Sequence, residues 1–128
     1  MKKYLITILD DDADDCEILA TALKENYDNL QVLTFTDSKD YLQFLSLAPN
    51  MPDLLVTDMY MPLMTGIEVA EWMKNNPATS QIPVFILSIT KNEGLAIEAA
   101  SLGIVQYFVK PVELIEYSVL ADKIMQKV

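Results

Sequence analysis

The chain has 128 residues, 52% of them hydrophobic, and a formal net charge of −10 at pH 7. This length predicts a single domain over residues 1–128, and the apolar content is sufficient for a hydrophobic core. The negative charge argues against binding of nucleic acid or of an anionic membrane surface, since both would be repelled, and it favours cations and basic protein surfaces as partners.

Short apolar runs of strand length alternate with helical patterns along the chain. The predicted strands are residues 4–9, 30–35, 53–57, 83–88 and 105–109. The predicted helices are residues 13–26, 38–47, 66–74, 92–102 and 112–126. Continuous apolar strands are typical of a sheet that is covered on both faces, and the alternation indicates βαβ units. We therefore predict an α/β fold, a doubly wound five-stranded parallel sheet with five helices on its two sides.

Location and available chemistry are also limited by the sequence. No apolar stretch approaches the ~18–20 residues that span a bilayer. The apolar run near the N-terminus ends in acidic residues without a secretory cleavage site, so we expect a cytoplasmic protein. The chain has no histidine, and any phosphohistidine must belong to another molecule. The single cysteine, Cys16, is expected to be a small, buried or half-buried residue of a helix.

Polar residues at the carboxyl ends of the strands are the candidate site, because ligands of open parallel sheets bind there. These residues are Asp10, Asp11 and Asp12 after the first strand, Asp58 after the third, Ser88 at the end of the fourth and Lys110 after the fifth. Asp58 directly follows an apolar run, "LLVT", and we expect its carboxylate to project onto the same edge as the first group.

The acidic block "DDDADD" at residues 10–15 divides into two parts. Asp12 is expected to be the N-cap of the first helix, with Asp14 and Asp15 in its first turn, where carboxylates interact favourably with the helix dipole. Capping does not account for Asp10 and Asp11.

Convergence of Asp10 and Asp11 with Asp58 would be costly unless a cation lay among the three carboxylates. A few oxygen ligands open to water suit Mg²⁺ or Mn²⁺. We therefore predict a divalent cation at this edge.

Lys110 and Ser88 extend this set toward a phosphoryl group. A lysine after a strand is commonly just a surface residue, and a serine hydroxyl commonly bonds to its own backbone, so both alternatives stay open from the sequence alone. If both side chains reach the edge, an ammonium, a cation and a hydroxyl donor would neutralise and bind phosphoryl oxygens. A central carboxylate would then be the natural nucleophile, giving an acyl phosphate.

Four motifs carry a family resemblance: "ILDDD" at 8–12, "DMYMPLMTG" at 58–66, "VFILSIT" at 84–90 and "YFVKP" at 107–111. In this order, over essentially the whole chain, they resemble the receiver domain of response regulators in two-component signalling, similar to the stand-alone chemotaxis type. The resemblance implies a flavodoxin-like fold with strand order 2-1-3-4-5. It also implies a single receiver domain, and we expect no output domain after residue 128.

The resemblance implies roles for the site residues. Asp58 would be the phospho-acceptor, and Mg²⁺ (or Mn²⁺) would be held by Asp10, Asp11, Asp58 and the backbone carbonyl of Tyr60. Lys110 would bind the phosphoryl oxygens, and the family often has a cis bond before the proline that follows it.

Signalling roles also follow from the resemblance. Ser88 would be the switch hydroxyl and Tyr107 the switch aromatic, which turns inward when Ser88 moves toward the phosphoryl group. The donor would be a histidine kinase or a histidine phosphotransfer protein. The readout would be a protein contact at the face of the fourth helix, fifth strand and fifth helix, with a second copy of the chain, in a homodimer, among the candidate partners. Beyond its own phosphorylation and dephosphorylation, the chain would not be an enzyme.

Ile89 departs from the family pattern, in which the residue after the switch hydroxyl is usually small. A branched apolar side chain at this position would crowd water or a donor and limit how far Tyr107 turns. This departure keeps open a second function, a degenerate receiver that binds partners without phosphorylation.

Two other functions share parts of this pattern. A metal-dependent phosphatase with an aspartate nucleophile shares the Asp-x-Asp of residues 10–12. Such a phosphatase usually carries Thr or Val where this chain has Asp14, and it needs a further acidic pair, for which only Glu113 and Glu116 follow the lysine. A flavin-binding module would need a phosphate-cradling loop after the first strand, where the acidic block would repel a phosphate.

Overall fold

A computed structural model of the chain describes residues 2–128 and contains the predicted alternation of five strands and five helices. The strands are β1 Tyr4–Leu9, β2 Leu30–Phe35, β3 Leu54–Asp58, β4 Val84–Ser88 and β5 Val105–Val109. The helices are α1 Ala13–Asn26, α2 Ser38–Leu47, α3 Gly66–Lys74, α4 Glu93–Ala100 and α5 Leu114–Met125. All strand pairs are parallel, and the sheet order β2-β1-β3-β4-β5 confirms the predicted fold class.

Seven predicted boundaries, in four elements, shift by one or two residues, and at two of them a polar side chain binds backbone instead of continuing the element. The Asp53 carboxylate accepts a hydrogen bond from the Leu5 N–H at 2.8 Å, and β3 starts one residue later than predicted. The Asn92 side chain accepts from the Leu95 N–H at 3.0 Å and is the N-cap of α4 rather than its first residue. Likewise, β4 begins after Pro83, and Glu113 is the N-cap of α5.

Each face of the sheet is covered by its own hydrophobic core. One core joins α1 and α5 to the sheet, and Cys16 lies within it, buried as the sequence indicated. The other core joins α2, α3 and α4 to the opposite face. Along β3 the side chains alternate between the two cores, since Leu54 and Val56 belong to the first and Leu55 to the second. This double coverage explains why the central strands β1, β3 and β4 are almost wholly apolar and buried.

Backbone hydrogen bonds continue the sheet past the strand ends and fix the residues of its carboxyl edge. The Asp10 N–H donates to the Phe35 carbonyl at 3.0 Å, and the Lys110 N–H donates to the Ser88 carbonyl at 2.6 Å. The polar residues that follow β1 and β5 are therefore held by the same ladder as the strands. Within residues 2–128, none of the helices is long and apolar enough to cross a bilayer.

A buried polar pair ties α2 to the sheet. The Tyr41 hydroxyl lies 2.8 Å from Thr7 Oγ1, and Thr7 Oγ1 donates to the Leu54 carbonyl at 3.0 Å. Because the threonine hydroxyl has one proton, Tyr41 is the donor to Thr7. Burial raises the pKa of Tyr41, which keeps the hydroxyl protonated for this bond. The pair orients α2 against β1 from inside an otherwise apolar core.

We predict that Tyr41→Phe lowers the free energy of unfolding by about 1–2 kcal/mol, since it leaves Thr7 Oγ1 without its donor in a buried site. Urea unfolding measures the change. Tyr60→Phe, which removes a hydroxyl from a half-exposed position, is the matched control and should change stability by less than about 0.5 kcal/mol. Equal effects of the two substitutions would show that the buried bond contributes nothing.

Candidate functional site

Three carboxylates meet at the carboxyl edge of the sheet. Asp10 follows β1, Asp58 ends β3, and with Asp11 they offer oxygens that all lie within 4.8 Å of one another. Asp10 and Asp58 are largely buried, and Asp11 is exposed. The structure therefore brings together the three acidic residues that the sequence placed at two separate strand ends.

Local hydrogen bonds hold this acidic loop in place. The Asp10 carboxylate accepts from the Asp12 N–H at 3.0 Å. Asp12 is the N-cap of α1, as predicted, and its Oδ1 accepts from the Asp14 N–H at 2.9 Å. The turn between β1 and α1 is thus fixed by its own aspartates, which leaves one Asp10 oxygen to face the site.

Burial makes ionisation of these acids costly. Burial, together with the neighbouring Asp10 and Asp11 charges, raises the pKa of Asp58 to about 6, against the lowering effect of the Lys110 ammonium. Burial also raises the pKa of Asp10, against the lowering effect of its hydrogen bond to Lys110. The single Lys110 ammonium therefore does not compensate the negative charge of the three carboxylates. The hard oxygen donors of these carboxylates fit a small divalent cation.

Lys110 is an inward-facing residue of this site rather than a surface lysine, since its side chain is only 11% exposed. Its Nζ lies 2.7 Å from Asp10 Oδ2, 2.8 Å from Asp15 Oδ2 and 3.8 Å from Asp58 Oδ1. The bond between Lys110 and Pro111 is trans, and differs from the cis bond that the family often has at this position.

Asp15 is the site residue that the sequence analysis missed. It was assigned to the first turn of α1 as a favourable charge at the helix terminus, which is correct but incomplete, because its carboxylate also pairs with Lys110. Helical spacing carried the available signal: Asp15 precedes the buried Leu19 by one turn and so lies on the face directed at the sheet. Asp14 and Asp12 are exposed.

Ser88 ends β4 beside the acidic cluster. The sheet register pairs Leu87 with Asp58, so Ser88 lies one residue further along the neighbouring strand. Ser88 is fully buried, and its Oγ accepts a long hydrogen bond of 3.4 Å from the Thr90 N–H. The hydroxyl proton is therefore free for another acceptor, and the contact with its own backbone is weak.

Tyr107 connects the loop that follows β4 to the edge strand β5. Its hydroxyl donates to the Thr90 carbonyl at 3.4 Å, and its ring is half-buried. Ile89 lies between Ser88 and Thr90 and is 74% exposed, so its side chain lies in solvent rather than in the core. The roles of Ser88 and Tyr107 in switching stay predictions.

The loop between β3 and α3 is folded back against the end of β3. The Gly66 N–H donates to the Met59 carbonyl at 2.9 Å, and a Cβ on Gly66 would lie 2.6 Å from the Asp58 carbonyl oxygen. Leu63 has a φ of 73°, which a residue with a side chain adopts only at a cost of about 1–2 kcal/mol. Tyr60, whose carbonyl is the predicted fourth cation ligand, is 49% exposed in this loop.

The extra acidic pair that a phosphatase would need serves another purpose here. Glu113 and Glu116 are exposed and form the capping box of α5, in which the Glu113 N–H donates to the Glu116 carboxylate at 3.4 Å. The Glu116 carboxylate is engaged at the start of a helix, and neither glutamate belongs to the acidic cluster.

The model of the response regulator receiver domain family matches residues 6–120. The chain belongs to this family. Among curated relatives of this receiver domain, protein RcaC of Microchaete diplosiphon is 31% identical over 122 residues, covering 95% of this chain and 18% of that protein. A probable cyclic di-GMP phosphodiesterase of Vibrio cholerae is 35% identical over 117 residues, covering 89% of this chain and 25% of that protein. The chain thus spans about a fifth to a quarter of the length of these two relatives.

Solved structures show the same fold for this receiver domain. The phosphorylated cyanobacterial phytochrome response regulator RcpA has a TM-score of 0.86 at 24% identity, covering 97% of this chain and 92% of that one. The Mn²⁺-bound form of response regulator Rcp1 has a TM-score of 0.83 at 23% identity, covering 96% of this chain and 92% of that one.

We predict that Gly66→Ala lowers the free energy of unfolding by about 1–3 kcal/mol, because the new Cβ must push the end of β3 away from α3. The control is Gly94→Ala at an exposed position of α4, where the nearest atom is a side-chain oxygen at 3.4 Å. It should change stability by no more than about 1 kcal/mol. Urea unfolding compares the two, and a Gly66→Ala variant as stable as Gly94→Ala contradicts the close approach.

Proposed function

We propose that this receiver domain is a phosphorylatable switch in which Asp58 accepts a phosphoryl group from a phosphohistidine of a histidine kinase or a phosphotransfer protein. The observation that carries the proposal is the convergence of the Asp10 and Asp11 carboxylates with that of Asp58, with a buried ammonium at the same edge. Such a set is unfavourable for folding and complementary to a phosphoryl group with its cation.

The oxygens of Asp10, Asp11 and Asp58 fit Mg²⁺ or Mn²⁺, because they are hard donors close enough to share one ion. Such an ion, when bound, neutralises negative charge on the acids and on a phosphoryl group. The backbone carbonyl of Tyr60 is the proposed fourth protein ligand. The Mn²⁺-bound state of the structural neighbour Rcp1 supports this choice of ions.

The chain's own residues then account for the transfer. An Asp58 oxygen attacks the phosphorus atom in line, the new O–P bond forms, and the P–N bond to the donor imidazole breaks with its electron pair returning to the nitrogen. Lys110 supplies a positive charge within 3.8 Å of the Asp58 carboxylate, and the free Ser88 proton is a donor to a phosphoryl oxygen. The phosphorylated state of the structural neighbour RcpA supports an acceptor in this fold.

The proposed output is a change in a protein-binding surface. Phosphorylation draws Ser88 inward, the loop that contains Thr90 follows, and Tyr107 loses its present acceptor and turns. The face of α4, β5 and α5 exposes large apolar side chains that a partner would cover, namely Ile97, Val109, Ile115 and Val119. A downstream protein or a second copy of the chain is the proposed partner, and the chain catalyses only its own phosphorylation and dephosphorylation.

We predict that incubation with Mg²⁺ and a small acyl phosphate adds one phosphoryl group, detected by intact mass and lost in mild alkali. Asp58→Ala should abolish the gain, and Asp28→Ala, at an exposed acid outside the site, should retain it. Chelation of the metal should prevent it.

Three results would contradict this account. A normal gain in Asp58→Ala would move the acceptor elsewhere. Failure of the unmodified chain to gain any mass would favour a receiver that binds partners without phosphorylation. Fast multiple turnover of a chromogenic phosphate ester would favour a phosphatase.

A further inference from the structure

The Lys110 ammonium is held by two carboxylates, and neither of them is that of Asp58, the proposed phospho-acceptor. Nζ lies 2.7 Å from Asp10 Oδ2 and 2.8 Å from Asp15 Oδ2, and both are hydrogen-bonding distances for a charged pair. The distance of 3.8 Å to Asp58 Oδ1 is too long for a hydrogen bond. An ammonium has three protons, so this arrangement leaves one of them free.

Asp15 differs from the other acids of its loop. Capping of α1 is supplied by Asp12, and the exposed Asp14 already places a charge in the first turn. Asp15 lies outside the three acids that can share a cation, and its side chain is only 30% exposed. It borders the same small cavity as Asp58 and Lys110. The helix terminus therefore accounts for only part of the role of Asp15, and the pair with Lys110 accounts for the rest.

A second anchor matters because of the lysine side chain itself. The ammonium sits at the end of a flexible four-carbon stem, and one hydrogen bond leaves it several positions. Without Asp15, the nearest other carboxylate besides Asp10 is Asp58, 3.8 Å away. An ammonium that moved onto Asp58 would occupy the lone pairs that must attack phosphorus, and its free proton would no longer be placed for a phosphoryl oxygen.

We propose that Asp15 is a positioning residue for phosphoryl transfer: together with Asp10, it holds the Lys110 ammonium away from the Asp58 carboxylate and leaves one proton for the incoming phosphoryl group. This inference rests on the proposed function of the site and assigns to it a fourth acid, which acts only through Lys110.

The test compares initial rates of phosphorylation by a small acyl phosphate in saturating Mg²⁺. Asp15→Asn should react about 3- to 10-fold more slowly than the unmodified chain, as expected for loss of one partly exposed charged hydrogen bond. Asp14→Asn removes the same charge one residue away and should stay within about two-fold. Asp15→Glu restores a carboxylate and should recover part of the rate.

A double-mutant cycle separates positioning from a general effect on charge or stability. In a Lys110→Met background, Asp15→Asn should have no further effect on the rate, because the group it acts through is gone. A spectroscopic measurement on the metal-free protein needs no phosphorylation: the Lys110 ammonium protons should exchange with solvent faster in Asp15→Asn than in Asp14→Asn. Unchanged exchange in Asp15→Asn would overturn the inference.

The outcomes distinguish this inference from the proposed function. If the unmodified chain is phosphorylated on Asp58 while Asp15→Asn and Asp14→Asn react at equal rates, or if the cycle is additive, Asp15 is not a positioning residue and the proposed function stands. If the unmodified chain takes up no phosphoryl group, both the proposed function and the positioning role of Asp15 are contradicted.

Discussion

The mutual repulsion of Asp10, Asp11 and Asp58 is the constraint on which the rest of the structure depends. The parallel sheet brings the ends of β1 and β3 to one edge, and the backbone ladder holds them there whatever their charge. Burial and like charge raise the pKa of Asp58 to about 6, so at neutral pH its ionised form opposes folding. Two hydrophobic cores, one on each face of the sheet, stabilise the fold against this local cost.

The backbone of β4 and β5 connects the acidic edge to the outer face of the molecule. Lys110 and Ser88 are joined through their backbones at 2.6 Å, and Tyr107 reaches the Thr90 carbonyl from the neighbouring strand. Under the proposed function, a phosphoryl group must shift the balance between two packings of this region. A change from 1:99 to 99:1 requires about 5.5 kcal/mol. The combined free energy of new charge-assisted bonds from the phosphoryl group to Lys110, to Ser88 and to a cation is of that order.

Much of the fold was predictable because apolar runs and helical spacing report directly on local structure. Strand order was not contained in the alternation and came with the family resemblance. The boundary at Asn92 shifted because its side chain caps α4 through a local bond to Leu95, whereas the boundary at Asp53 shifted because its carboxylate binds the backbone of Leu5, a neighbour distant in sequence. The pair of Tyr41 and Thr7 escaped prediction for the same reason, since it depends on how α2 lies against β1.

The site was predictable to the extent that its residues occupy strand ends. Asp10, Asp58 and Lys110 each follow or end an apolar run, and a parallel sheet brings such positions together. Asp15 was not predictable from composition, because an acid in the first turn of a helix is favourable with or without a tertiary partner. The sequence likewise does not determine the isomer of the bond before Pro111, which is trans here and not the cis isomer that the family often has.

Thermal unfolding of the unmodified chain and of Asp58→Asn, each with a chelator and with excess Mg²⁺, tests the central claim most directly. The raised pKa of Asp58 means that the folded state binds its proton more tightly than the unfolded state, so stability is lost as the pH rises through about 6.

At pH 8 with chelator, Asp58→Asn should therefore unfold at a higher temperature than the unmodified chain, by a few degrees, and this gap should shrink below about pH 6. Excess Mg²⁺ should stabilise the unmodified chain more than Asp58→Asn, because binding to the folded state alone adds stability. Lower stability of Asp58→Asn in chelator, together with equal responses of both chains to Mg²⁺, would contradict a costly carboxylate cluster that a shared cation relieves.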